Sequence, residues 1–195
     1  MLSRIKRAVL AAIAATAMLA ALATAAAARN LSVTETRVTV TFARVEYRGG
    51  FGTTRCNLTV SGVMHARTMP KVLESLVGLI TEASVGGCEA GSATILRETL
   101  PWHTRYAGFT GELPSIGAII VHVIGDQFRI REPLGIECLS TSSASSPSTG
   151  WWNREAGGRL SSAVVGDTMP TTCGRNGTLS GTSNSITPNV TITLI

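Results

Sequence analysis

The feature that most constrains this fold is an apolar side chain at every second position, repeated along much of the chain. In the segment RCNLTVSGVM, four such side chains share one face of an extended chain: Cys56, Leu58, Val60 and Met64. Asn57, Thr59, Ser61 and His65 lie on the other face, and this period of two is typical of a half-buried strand. Because similar runs are joined by glycine-rich turns, the sequence predicts an all-β domain of about ten short antiparallel strands, as a sandwich or a barrel.

Two further alternating segments predict local detail. In RVTVTFARVEYR the apolar positions change from even to odd after Phe42, which indicates a β-bulge or bend there. In SIGAIIVHVIGDQFRIRE, Gly125 is suited to begin a two-residue hairpin turn. That hairpin would place Val123 opposite Phe128, and His122 opposite Arg129 on the other face.

Two segments lack this alternation. MPKVLESLVGLITEA has its polar residues at helical spacing, so we expect one short helix near 70–77, followed by a strand to about Val85. LSTSSASSPSTGWWNREAGG, residues 139–158, has few apolar residues besides a tryptophan pair and predicts an exposed loop.

The first 28 residues have the organisation of a secretory signal peptide. A basic start, MLSRIKR, precedes a long alanine-rich apolar run that ends in small residues at 26–28. We therefore expect residues 1–28 to be removed, which leaves one secreted or cell-envelope domain at 29–195 with no membrane span. An uncleaved anchor is the alternative. Without the signal peptide the chain has 14 basic and 12 acidic residues. The resulting net charge of +2 predicts no nucleic-acid partner.

All four cysteines follow the predicted signal peptide, and an even number in an exported chain favours two disulfides. Three pairings are possible. Sequential pairing, Cys56–Cys88 and Cys138–Cys173, closes two loops of similar length and is the one we expect. Paired cysteines leave no thiolate for catalysis.

The segment TLPWHTRYAGFTGELP holds the densest group of chemically active side chains, but a strand from Trp102 to Thr110 divides it between two faces. Trp102 and Tyr106 share one face, where they are suited to stack on a ligand or to cover the core. Trp151 and Trp152, in the expected loop, are candidates for carbohydrate or partner contacts. These four aromatic residues are the predicted ligand-binding residues.

The run TLPWH, followed by Tyr106, Phe109 and Gly111 and preceded by Cys56, resembles a group of uncharacterised small secreted proteins from high-GC bacteria. The resemblance covers Cys56 to Gly125. It implies a secreted β-rich fold and supplies no catalytic residue.

No motif predicts a catalytic residue, a metal site or a cofactor. GxSxG, SxxK, HExxH and the glycine-rich phosphate loops are absent, and the three histidines lack metal-ligand spacing. We therefore expect a binding or envelope-associated domain without enzymatic activity, whose partner is a carbohydrate, a small apolar ligand or an envelope protein. The alternatives are a small-ligand carrier, if the sheet closes around a cavity, and a hydrolase with a scattered site that uses His65 or His103.

Overall fold

The computed structural model describes residues 30–113, 115–173 and 177–195, of which 167–169 are described by their backbone alone. The predicted signal peptide lies outside these ranges. The described elements are fifteen strands and one 3-10 turn at Arg97–Thr99. The strands are β1 (Asn30–Val33), β2 (Arg37–Arg48), β3 (Thr53–Met64), β4 (Thr68–Pro70), β5 (Leu76–Glu89), β6 (Ser92–Ile95), β7 (Trp102–Glu112), β8 (Ser115–Ile124), β9 (Gln127–Arg131), β10 (Glu137–Thr141), β11 (Ser148–Arg154), β12 (Leu160–Met169), β13 (Gly177–Thr182), β14 (Ser185–Thr187) and β15 (Ile192–Leu194).

Eight of these strands form a closed antiparallel barrel. Its order is β2-β3-β5-β7-β8-β11-β12-β13, and β13 pairs back to β2 through Leu179 and Tyr47. Each barrel strand pairs with the next barrel strand along the chain, so the barrel is an up-and-down meander. Of the two predicted architectures, the chain adopts the barrel.

The remaining strands, except β14 on the edge of β2, form two small sheets that cover the barrel ends. The sheet β15-β1-β4 lies where β2 and β5 begin, which we call the first end. The sheet β10-β9-β6 follows the ends of β5 and β8 and lies at the opposite, second end. The strands of both sheets lie in segments that connect consecutive barrel strands or that precede or follow the barrel in the sequence.

Two hydrophobic clusters fill the ends of the barrel. The cluster at the first end includes Leu31, Ile119 and Ile192, and the cluster at the second end includes Trp102 and Phe128. Trp152 and Ile186 contact both clusters. The core is thus continuous along the barrel axis.

Several predictions are confirmed. The β2–β3 ladder shifts register between Phe42 and Val45, where the change of apolar phase indicates a bulge. The disulfides are Cys56–Cys88 and Cys138–Cys173, as expected. The first disulfide joins neighbouring strands β3 and β5, whereas the second attaches β10 to the chain that follows β12. No helix in the described residues is long and apolar enough to cross a membrane.

The predicted hairpin is wrong. β8 pairs with β7 and β11, whereas β9 pairs with β6 and β10, so Val123 does not pair with Phe128. Gly125 does turn the chain, with a φ of 94°, but the turn directs β9 out of the barrel wall into the sheet at the second end. His122 consequently pairs with Arg105 and Thr149 instead of Arg129.

The two segments without alternation were also predicted wrongly. Residues 70–77 form no helix: β4 ends at Pro70, a turn follows, and β5 begins at Leu76. Within residues 139–158, β11 is a central barrel strand and β10 belongs to the sheet at the second end. Cross-strand pairing on both edges of these segments outweighs their weak local preference for strand.

The inward face of β7 is correctly predicted only at its start. Trp102, Thr104 and Tyr106 all point into the barrel and are buried. Register shifts between Tyr106 and Gly108 then reverse the alternation, so Phe109 packs against the core and Thr110 is exposed.

Candidate ligand-binding cavity

The barrel interior contains a partly open cavity of about 150 Å³ between its two end clusters. Residues of both clusters line it, including Val121 and Leu160 from the first end and Phe42 and Leu58 from the second. The interior of an eight-stranded barrel is just wide enough either to be filled by side chains or to hold one small ligand. This barrel therefore retains space that its own side chains do not fill.

The cavity wall is mainly aliphatic and aromatic because the alternation of the barrel strands directs apolar residues inward. Trp102 and Phe128 pack against each other with ring centroids 5.6 Å apart, and Trp152 lines the cavity from β11. The indole N–H of Trp102 donates a hydrogen bond of 2.8 Å to Thr99 Oγ1. This bond satisfies the polar atom of the ring and fixes the ring against the cavity.

Small residues at inward positions keep the space open. Gly150 lies between the inward-facing Ser148 and Trp152 on β11, and a Cβ at this glycine would lie 3.2 Å from Val121 Cγ2. Ala163, paired with Trp152 on β12, presents only a methyl group to the cavity. Larger side chains at these two positions would project into the space.

A small group of polar side chains interrupts the apolar wall. We call Thr104, Ser148 and Asp126 the polar patch; each lines the cavity and is at most 5% exposed. Ser148 donates a hydrogen bond of 2.9 Å to Asp126 Oδ2, and Ser142 donates one to Asp126 Oδ1. Ser142 Oγ also accepts the backbone N–H of Gly125, so the carboxyl group is tied to the turn between β8 and β9.

The four predicted ligand-binding residues fall into different places. Trp102 and Trp152 line the same cavity, although one is on β7 and the other on β11. Tyr106 also points inward but packs in the cluster at the first end, and burial raises its pKa. Trp151 has the opposite orientation to Trp152 and is half-buried on the outer wall, where it lies near Gly166.

The histidines do not converge on a catalytic arrangement. His65 and His103 are exposed. His122 lies on the outer face of the barrel, with its Nδ1 2.9 Å from Glu74 Oε1. Among the described residues, no group of three or more histidine, cysteine or acidic side chains is placed to hold a metal ion.

One acidic side chain is buried away from the cavity. Glu132, in the turn between β9 and β10, is 1% exposed, and its Oε2 has no hydrogen-bond partner among the described residues. It lies beside Tyr47, whose pKa is raised mainly by burial and further by the nearby Glu132. The environment of Glu132 is relevant to stability rather than to the cavity.

Comparisons with protein-family models, with curated proteins and with solved structures found no match to this chain. The geometry of the cavity is therefore the basis for assigning a function.

Sequence reasoning missed the polar patch, Gly150 and Ala163. The useful signal was the alternation of Ser148, Gly150 and Trp152, which share one face of a strand. Because the surrounding serines predicted a loop, this alternation was not interpreted as an inward face. No local pattern indicates that Asp126, a turn residue, lines the same space.

Proposed function

We propose that this protein binds and carries a small apolar molecule inside its barrel, and that it is not an enzyme. The observation that carries the proposal is the cavity of about 150 Å³ with a mainly apolar wall. Apolar surface with a few convergent polar groups is the usual composition of a small-molecule site. A closed sheet around a lined cavity supports a small-ligand carrier.

The volume of the cavity limits the size of the ligand. An engineered apolar protein cavity of about 150 Å³ stays dry and binds benzene. A single-ring molecule or a short branched hydrocarbon therefore matches the space between Trp102, Trp152 and Val121. A carbohydrate fits poorly, since most of its hydroxyl groups would face aliphatic side chains without a hydrogen-bond partner.

A surface module built on the tryptophan pair has less support. The two rings point to opposite sides of β11, and both are only half-exposed. A docking site that uses both rings at once would need them on one face.

The first experiment is native mass spectrometry of the purified protein, followed by a toluene titration monitored by NMR. We expect either a bound small molecule that is released on unfolding, or binding of toluene that shifts the indole N–H signals of Trp102 and Trp152. The matched variant is Ala163→Leu, which projects three more carbons into the cavity and should weaken toluene binding at least tenfold. If the purified protein contains no bound molecule and does not bind toluene, the carrier proposal is refuted.

We further propose that the protein is exported and works outside the cytoplasm. The two disulfides support this location, because such bonds persist in oxidising compartments. The test is the intact mass of the protein from its native source, which we expect to correspond to a chain that begins near Arg29. A mass that retains residues 1–28 would refute cleavage at that site.

A further inference from the structure

Three polar side chains of the cavity, Thr104, Ser148 and Asp126, lie together on one part of its wall. In the barrel register Thr104 pairs with Val123, and Val123 pairs with Ser148, so the three residues form one row across β7, β8 and β11. Asp126 extends this group, since its Oδ2 lies 2.9 Å from Ser148 Oγ. The remaining wall is mainly apolar, with Ser61 and Thr149 as its other polar residues, so this row is the largest polar part of the wall.

The hydrogen bonds already formed determine what this side can recognise. Ser148 directs its one hydroxyl hydrogen to Asp126, which leaves its oxygen lone pairs as acceptors. Asp126 accepts from both Ser142 and Ser148. Within the described residues the Thr104 hydroxyl has no hydrogen-bond partner, so it is available both to donate and to accept.

The spacing suits one bridging hydroxyl group. Adjacent strands lie about 4.8 Å apart, so the backbones of Thr104 and Ser148 are separated by roughly 10 Å. Inward side chains converge toward the axis of a barrel, which brings the two oxygens closer together than the backbones. The position that a bridging ligand oxygen would occupy lies between the two hydroxyls, above Val123.

We propose that the ligand of this cavity is a small apolar molecule with one hydroxyl group, which donates to Ser148 Oγ and accepts from Thr104 Oγ1. This inference rests on the proposed carrier function. A ligand with a carboxylate is disfavoured, because its charge would lose its hydration against a mainly apolar wall. A ligand with only an acceptor would use the Thr104 hydrogen but leave Ser148 without a donor.

The test compares three single-ring probes of similar size: toluene without a polar group, phenol with a hydroxyl, and benzaldehyde with an acceptor only. Each is titrated by calorimetry into the wild type, Thr104→Val and Ser148→Ala. Thr59→Val serves as the matched control, because it makes the same change at a residue whose hydroxyl bonds to Thr41 rather than facing the cavity.

Because phenol is better hydrated than toluene, the informative quantity is the change in their affinity ratio between proteins. A hydrogen bond of ordinary strength predicts that Thr104→Val lowers the phenol-to-toluene ratio by about 3- to 10-fold. Ser148→Ala should lower the ratio similarly, and the ratio of benzaldehyde to toluene should fall in Thr104→Val alone. The Thr59→Val protein should retain the wild-type ratios.

The outcomes separate this inference from the carrier function. If toluene binds and the phenol ratio is the same in all four proteins, the hydroxyl assignment is wrong and the carrier function stands. If none of the probes binds the wild type, both are wrong. A lower phenol ratio in Thr104→Val and Ser148→Ala, with the control unchanged, supports the assignment.

Discussion

Filling the cavity should make the protein more stable while it abolishes ligand binding. Ala163→Leu is the appropriate perturbation, because Ala163 is 6% exposed, lies on β12 and lines the cavity. The new side chain would contact apolar groups of the opposite wall and would need no displacement of the backbone. Most substitutions of a buried alanine by a larger residue have the opposite effect on stability.

The magnitude follows from the atoms added. Leucine has three more carbons than alanine, and about 0.8 kcal/mol for each buried methylene gives an upper bound of about 2.4 kcal/mol. Ordering the leucine side chain costs about 0.5–1 kcal/mol. Subtracting this cost from the gain, we expect the free energy of unfolding to rise by about 1.5 kcal/mol. Urea unfolding measures the change, and the slope of the transition should stay constant.

Ala83→Leu is the matched control. Ala83 is also buried in the second-end cluster, at 8% exposure, but it does not line the cavity. The same three carbons have no free space there, so we expect a loss of about 1–3 kcal/mol. The reasoning is refuted if both substitutions destabilise the protein equally, since the space next to Ala163 would then not exist in solution.

Three further predictions concern stability. Replacing both Cys138 and Cys173 by alanine should lower the free energy of unfolding by about 4 kcal/mol, which is the chain-entropy value for a loop of this length. Urea unfolding of the variant and of the oxidised wild type measures the difference. Burial raises the pKa of both Tyr47 and Tyr106 above the ordinary value of 10.0. The stability that the two neutral side chains contribute is therefore complete below pH 10 and is lost as the pH rises further. Absorbance at 295 nm should show no tyrosine titration before the protein unfolds in alkali. Glu132→Gln should raise the free energy of unfolding at pH 7 by about 1–3 kcal/mol, because a neutral amide costs less to bury than an acidic group, and equal or lower stability of the variant in urea unfolding would contradict this.

The alternation of apolar residues predicted the strands well because each barrel strand has one face in the core. β3 is the clearest case: Cys56 and Leu58 are buried and Val60 lines the cavity, as the sequence indicates. The disulfide pairing was also predictable, since sequential pairing closes two loops of similar length. The strand faces depend on local sequence, which is why a single sequence contains them.

The helix and the hairpin were predicted wrongly for a different reason. The Pro70–Val77 region has helical spacing, but β5 is bound on one side by β3 and on the other by the first half of β7. Gly125 gives a turn of the expected kind, yet β8 already has two barrel neighbours and cannot also pair with β9. In both cases pairing with distant strands decides the structure, and local propensity does not encode it.

The cavity, too, depends on pairing between distant strands, so the sequence predicts only some of its lining residues. Trp102 and Trp152 were predicted as ligand-binding residues for separate reasons, from segments 50 residues apart, and only closure of the barrel brings them to one space. The polar patch depends on closure even more. Asp126 follows β8 while Ser148 begins β11, and the two meet because β9 and β10 loop out between them. This insertion replaces a direct β8–β11 turn and places a buried carboxyl group at the cavity wall. The insertion that caused the hairpin prediction to fail is therefore the same feature that builds the polar side of the candidate site.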